Sequence, residues 1–257
     1  MKQVSKIVFW ILITVFLIIS FSFVSDRYFV LVCKNINVII LDSTENSFVS
    51  EKDIVDLLTK PGNTIIGKQM KSINTKYLEE QIEDQTSVEI SEVFKTIDGS
   101  INVLIDQRNP LIRIFPKNGE SYYIDVKGRF MPLSNKYASH LIIANGNIPG
   151  NINTNKYKDI YLYNNQTLID LFELAKFFKK DEFWNSQIEQ VYVKNNKDFE
   201  LIPRVGSHEI LLGDIYNIDK KLRNLKTVYK QGFSKESWIK YHYINLKYEN
   251  QVICSKR

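Results

Sequence analysis

The sequence predicts a mixed α+β protein tethered by a single membrane-spanning helix, and three observations carry that reading. An uncharged apolar run stands near the start. A compact β-α-α-β-β pattern follows it. The rest is dominated by short alternating strands rich in aromatic and β-branched residues. The chain has 257 residues, enough for one large domain or two smaller ones plus an anchor. Hydrophobic residues make up 44% and charged residues 25%, a balance that buries a core and argues against disorder. The formal charge is +5, and Lys2 and Lys6 account for two of those charges. The remaining excess is weak and spread out, with no basic block interleaved with aromatics, so a solvated, slightly basic surface is expected and no nucleic-acid partner.

The first element is the run Ile7 to Val24 (IVFWILITVFLIISFSFV), 18 residues with no charge, glycine or proline. At 1.5 Å per residue a helix of that length reaches roughly 27 Å, close to the hydrocarbon thickness of a bilayer. The expected layout is a tail over 1–6 and a transmembrane helix over 7–25. A cleaved signal peptide is the rival reading. Its apolar region is shorter and ends at small residues, whereas bulky Phe21 and Phe23 close this one. Lys2 and Lys6 face Arg27 and Lys34 across the run, so charge alone leaves orientation nearly balanced.

After the anchor, Asn35 to Leu41 reads as a strand. Ser50 followed by Asp53 suits a helix N-cap, and Ile54, Leu57 and Leu58 continue as a helical stripe. Pro61-Gly62-Asn63 stops that helix. Ile65, Ile66 and Met70 lead to a second helix over Thr75 to Asp84, with Tyr77, Leu78 and Ile82 expected inward. Val88 to Ile97 and Ile101 to Gln107 form a hairpin, and Asp98-Gly99 predicts a type I′ turn. Arg108-Asn109-Pro110 breaks the pattern, setting domains of 34–108 and 109–257.

The second half opens with a strand at Leu111 to Phe115, a turn at Pro116 to Gly119 and a strand at Tyr122 to Asp125. Asn-rich Asn145 to Lys158 reads as a loop and Leu168 to Phe178 as an amphipathic helix. Val191 to Val193, Phe199 to Pro203 and Glu209 to Leu212 form a meander. Asp219 to Tyr229 is helical, and Tyr243 to Tyr248 and Gln251 to Cys254 close the chain as strand.

Recognisable chemistry is missing. His140, His208 and His242 lie far apart, none in a metal-ligand spacing. No nucleophile elbow, Walker loop or dinucleotide fingerprint occurs. No catalytic, cofactor-binding or metal residue is therefore assigned, and no cofactor or small-molecule substrate is expected. An extracytoplasmic location permits a disulfide between Cys33 and Cys254, but two unpaired thiols are the favoured reading.

An ordered series of motifs then resembles one family. Val38-Ile39-Ile40 with Phe48-Val49-Ser50 and Asp53-Ile54 resembles the start of a POTRA module. Arg108-Asn109-Pro110 followed by Tyr123-Ile124-Asp125-Val126-Lys127-Gly128 resembles the junction that opens the second domain of the FtsQ/DivIB bacterial division proteins. Leu201 to Pro203, Leu212-Gly213 and Ile244-Asn245-Leu246-Lys247-Tyr248 resemble that family's later hairpin and closing strand. Asn245 and Lys247 stand where the family pattern has Asp and Arg.

The resemblance implies a POTRA-like domain and then a β-rich FtsQ-type domain with an exposed C-terminal edge strand. It implies a bitopic scaffold of the inner (plasma) membrane, with its domains extracytoplasmic at the division septum, linking early and late septation proteins. It implies FtsB/FtsL-type coiled-coil partners bound by strand addition, with Tyr248 the leading contact and Leu246, Lys247, Gln251 and Val252 beside it. Lys197 falls near a basic partner-contacting position of the family. Two other classes stay open: a membrane-anchored periplasmic cell-wall hydrolase, and a POTRA-type secretion chaperone. The first needs clustered titratable groups in a cleft, the second repeated modules or a barrel.

Overall fold

The computed structural model describes residues 6, 9–20, 31–41, 47–60, 64–152, 158–195, 198–232, 240–248 and 251–257. Residues 9–20 form helix α1, whose apolar side chains, from Phe9 and Trp10 to Ile18 and Ile19, are exposed almost all round. Among the described residues no helix is long and apolar enough to cross a membrane. The predicted anchor runs on to residue 25, and 21–25 lie outside the described residues. The chain divides into two compact units, Met1–Arg108 and Asn109–Arg257.

In the first unit, β1 (Asn35–Ile40), α2 (Glu51–Thr59), α3 (Thr75–Glu83), β2 (Val88–Lys95) and β3 (Ser100–Gln107) follow in order. The sheet order is β1-β3-β2, with β1 parallel and β2 antiparallel to β3. Ser50 caps α2 as expected: its hydroxyl accepts from Asp53 N, and Asp53 Oδ2 accepts from Ser50 N at 2.9 Å. The predicted stop at 61–63 lies outside the described residues. Ile54 and Leu58 of α2 and Leu78 and Ile82 of α3 pack on Ile101, Val103 and Ile105 of β3.

Two expectations need correction here. Tyr77 was expected inward but is 50% exposed. The buried stripe of α3 follows the i, i+4 pair Leu78 and Ile82, so Tyr77 shares the solvent face with Gln81, whose amide donates to its hydroxyl at 2.8 Å. The hairpin turn is not type I′, because only Gly99 among its residues has positive φ, at 91°. Gly99 N donates to Thr96 O, and Thr96 N donates to Ser100 O. That is a three-residue loop with a left-handed glycine. Asp98 decides the difference by accepting from the hydroxyls of Thr96 and Ser100 and from Ser100 N, which ties it to the strand ends.

The second unit is a nine-stranded sheet in the order β12-β11-β10-β9-β8-β7-β4-β5-β6. Its strands are β4 (Pro110–Pro116), β5 (Tyr122–Asp125), β6 (Phe130–Pro132), β7 (Ile143–Gly146), β8 (Ile188–Asn195), β9 (Asp198–Pro203), β10 (Glu209–Gly213), β11 (Tyr241–Asn245) and β12 (Ile253–Lys256). Its helices are α4 (Ile160–Tyr163), α5 (Gln166–Lys180), α6 (Glu182–Gln187) and α7 (Ile218–Thr227), followed by a π turn at Val228–Gly232. The core joins Leu171, Phe172 and Phe178 of α5 and Leu222 and Leu225 of α7 to the inward residues of the central strands, such as Ile112, Val191, Leu201 and Ile210. Those strand residues alternate with half-exposed ones, the period of a sheet with one buried face.

Sequence reasoning missed β6, β7, α4 and α6. Asn145 and Gly146, read as the start of a loop, end β7 instead. That strand is parallel to β4 on one side and β8 on the other. Gly146 sits at φ 102°, and a Cβ there would come within 2.3 Å of Val193 O, so β7 reaches β8 only because this residue lacks a side chain.

Candidate partner-binding edge

The end of the sheet nearest the C-terminus is built in two steps. Strand β10 leads through α7 to β11, which lies parallel to it with Glu209 beside Tyr243 and Leu211 beside Asn245. Parallel neighbours need such a crossover, and α7 supplies its helix. Lys221 of α7, largely buried, donates to Leu212 O at 3.1 Å, Asp214 O at 2.9 Å and Asp214 Oδ1 at 2.8 Å, clamping the helix to the end of β10. β11 then turns back into β12, antiparallel, with Ile244 beside Cys254 and Asn245 beside Ile253.

A polar and aromatic cluster supports this corner from within. His208, just before β10, is buried, and its Nε2 lies 2.7 Å from the Tyr229 hydroxyl. Trp184 and Phe183 of α6 pack on the Tyr229 ring. Burial pushes the Tyr229 hydroxyl well above its usual pKa and also raises the Cys254 thiol, so both are neutral and serve as packing groups. Cys33 and Cys254 are both free thiols.

The two sheet edges differ. β6 has three residues and ends at Pro132. Phe130 N already donates to Lys158 O at 3.0 Å, and the Arg129 backbone forms an isolated antiparallel β-bridge with that of Asp159, so that edge is short and covered. β12 has four residues and, among the described residues, no strand on its outer side. Val252 and Cys254 turn toward the core, while Ile253 is 41% exposed and Ser255 and Lys256 face solvent.

The six residues singled out from the sequence separate here. Lys197 lies outside the described residues. Leu246 is 1% exposed and belongs to the core, so it supports the edge from inside and presents no side chain to a partner. Val252 is half-buried against the same core. Lys247, Tyr248 and Gln251 are exposed. Tyr248 was expected within the closing strand, but β11 ends at Asn245 and Tyr248 stands in a bend, 52% exposed. The bend has a local cause: Asn245 Oδ1 accepts from Lys247 N at 2.9 Å, an Asx turn that pulls the chain off the ladder after Leu246 N has bonded Leu211 O.

Lys247 is held on the sheet by an ion pair to Asp198 at 2.7 Å, and its stem packs over Gly213, where a Cβ would come within 3.1 Å. Sequence reasoning missed Ile253 and Ser255 as outward residues. Their alternation with Val252 and Cys254 was the available signal, obscured by an expected strand two residues out of place. Among the described residues no group of three His, Cys, Asp or Glu could hold a metal.

A small α+β unit with parallel β1 and β3 and a two-helix crossover, followed by a sheet with one open end, defines a class of modular extension. A family model for POTRA-like domains matches residues 31–106. A second, described as FtsQ/DivIB, C-terminal related, matches residues 109–255. The chain belongs to the FtsQ/DivIB family. Proteins of that family are membrane-anchored and non-enzymatic and act in bacterial cell division. No curated protein matches the chain significantly.

Proposed function

We propose that this protein is a single-pass scaffold of the division apparatus that links early and late septation proteins. Its partners in this reading are FtsB/FtsL-type coiled-coil proteins, one segment of which adds a strand to β12. The supporting observation is that β12, unlike β6, has no cover on its outer side among the described residues. In a four-residue edge strand, alternate residues point their backbone groups outward, which gives a partner about four hydrogen bonds. At roughly 0.5–1.5 kcal/mol net each, these contribute about 2–6 kcal/mol, short of micromolar affinity. Side chains must supply the rest, and Tyr248, Gln251 and Ile253 flank the edge with exposed surface. Lys256 and Arg257 give the same rim a positive charge, suited to an acidic partner segment.

In the same proposal α1 is the core of a transmembrane anchor in the inner membrane. The POTRA-like unit contacts other division proteins and recruits the chain to midcell, outside the cytoplasm. The test is co-purification with the small coiled-coil division proteins. Tyr248→Glu and Ile253→Glu, singly and together, are expected to lower recovery of the partner at least about tenfold, with Tyr248→Ala intermediate. Undiminished recovery with the double charged variant would overturn strand addition at β12.

A further inference from the structure

We infer that a cleft in the second unit, far along the sheet order from β12 and walled by Lys179, Arg204 and His140, binds a glutamate or aspartate side chain on a partly apolar segment of a partner protein. The cleft holds about 270 Å³. That is below the size of cofactor and drug-like sites and suits one or two side chains. Four elements build it. Lys179 is in the last turn of α5, Asn185 is on α6, His140 precedes β7, and Arg204 is the first residue after β9.

Arg204 is exposed at its tip and fixed at its base. Its backbone N donates to Gln187 O at 2.7 Å, and the buried Gln187 amide donates to Val205 O at 3.3 Å. The planar guanidinium fork is thus presented from a rigid strand end, the geometry that favours bidentate binding of an oxyanion. No acid lines the cleft. Among the described residues, neither Arg204 nor Lys179 has an ion pair.

That sets them apart from Lys221, Lys226 and Lys247 of the same unit, which pair with Asp214, Asp181 and Asp198. A lysine in the last turn suits the helix dipole for its own sake, but Arg204 and His140 have no such reason to be here. The Ser186 hydroxyl already donates to Glu182 O at 2.8 Å, so Asn185 is the neutral donor available to an anion.

The floor decides the kind of anion. Leu111, Ile142 and Ala175 close the bottom of the cleft with apolar surface. Inorganic phosphate would use the rim and leave that floor wet. A carboxylate on an aliphatic stem, next to an aliphatic neighbour, covers both.

The test uses the full chain in neutral detergent micelles and a short fluorescein-labelled peptide alternating leucine and glutamate. Fluorescence anisotropy is expected to show binding that is lost when glutamine replaces glutamate. The pair Arg204→Ala and Lys179→Ala should weaken it at least about tenfold, with Arg204→Lys between. Thermal melts of the variants check that the fold is kept, as expected for exposed side chains. Tyr248→Glu should leave peptide binding unchanged, which separates this cleft from the β12 edge. Equal binding of the glutamine peptide, or no loss in the double variant, would overturn the inference. So would displacement of the label by inorganic phosphate at lower concentration than by glutarate, since the cleft would then be a phosphate site.

Discussion

Asp125 is the residue on which the entry to the second unit turns. Its side chain is 1% exposed, yet it accepts from Lys127 N at 2.9 Å, Arg129 N at 2.8 Å and Arg129 Nε at 2.9 Å, and pairs with the second guanidinium nitrogen at 2.8 Å. These bonds shape the turn from β5 into β6, with Gly128 in the left-handed region at φ 81°. The motif around Asp125 was legible as a family resemblance, but its role was not, because the burial of a carboxylate depends on what packs above it. Asp125→Ala is expected to destabilise the chain by about 3–5 kcal/mol, since it leaves a half-buried guanidinium without its counter-charge. Urea unfolding followed by tryptophan fluorescence measures the loss. Asp125→Ala combined with Arg129→Met should recover part of it, because the orphaned charge is gone.

Among the elements, the β2–β3 hairpin shows how far local signals reach. Both strands and the turn glycine were readable from alternation and from Asp98-Gly99. The turn type was not, because it rests on which partners Asp98 finds at the strand ends. Those bonds, the one from Thr96 foremost, hold the Asp98 carboxyl down to about 2 against an ordinary value of 3.8. A depressed folded pKa contributes stability that is complete above about pH 4 and is lost as pH falls toward 2. Removing the Thr96 hydroxyl with Thr96→Val is therefore expected to raise the Asp98 midpoint toward 3.8, read from its side-chain carboxyl resonance in an acid titration. A midpoint that stays near 2 would show that Thr96 does not set it. β7 is the opposite case. Ile143-Ala144-Asn145-Gly146 has one strongly β-forming residue, and its pairing with β4 and β8 overrides propensity. Its strand identity comes from neighbours distant in sequence.

On the scale of the whole molecule, α1 is apolar on all faces and exposed on nearly all of them, a surface that water does not tolerate. The expected outcome is that the full chain stays in the membrane pellet after high-salt and alkaline washing, at its uncleaved mass. Replacing Leu12 and Phe16 with lysine should release it to the supernatant. Recovery of a shortened, soluble product from the unsubstituted chain would favour a cleaved signal peptide. The apolar run, the Ser50 cap of α2 and the turn glycine were determined by the sequence alone, because each depends on residues a few positions apart. Only the tertiary structure decided that the β6 end of the sheet is the covered one, that Leu246 faces the core while Tyr248 stands free of the strand, and that Lys179 and Arg204 share a cleft. Those outcomes depend on the order of strands in a sheet, and that order is set by pairings between segments far apart in the chain.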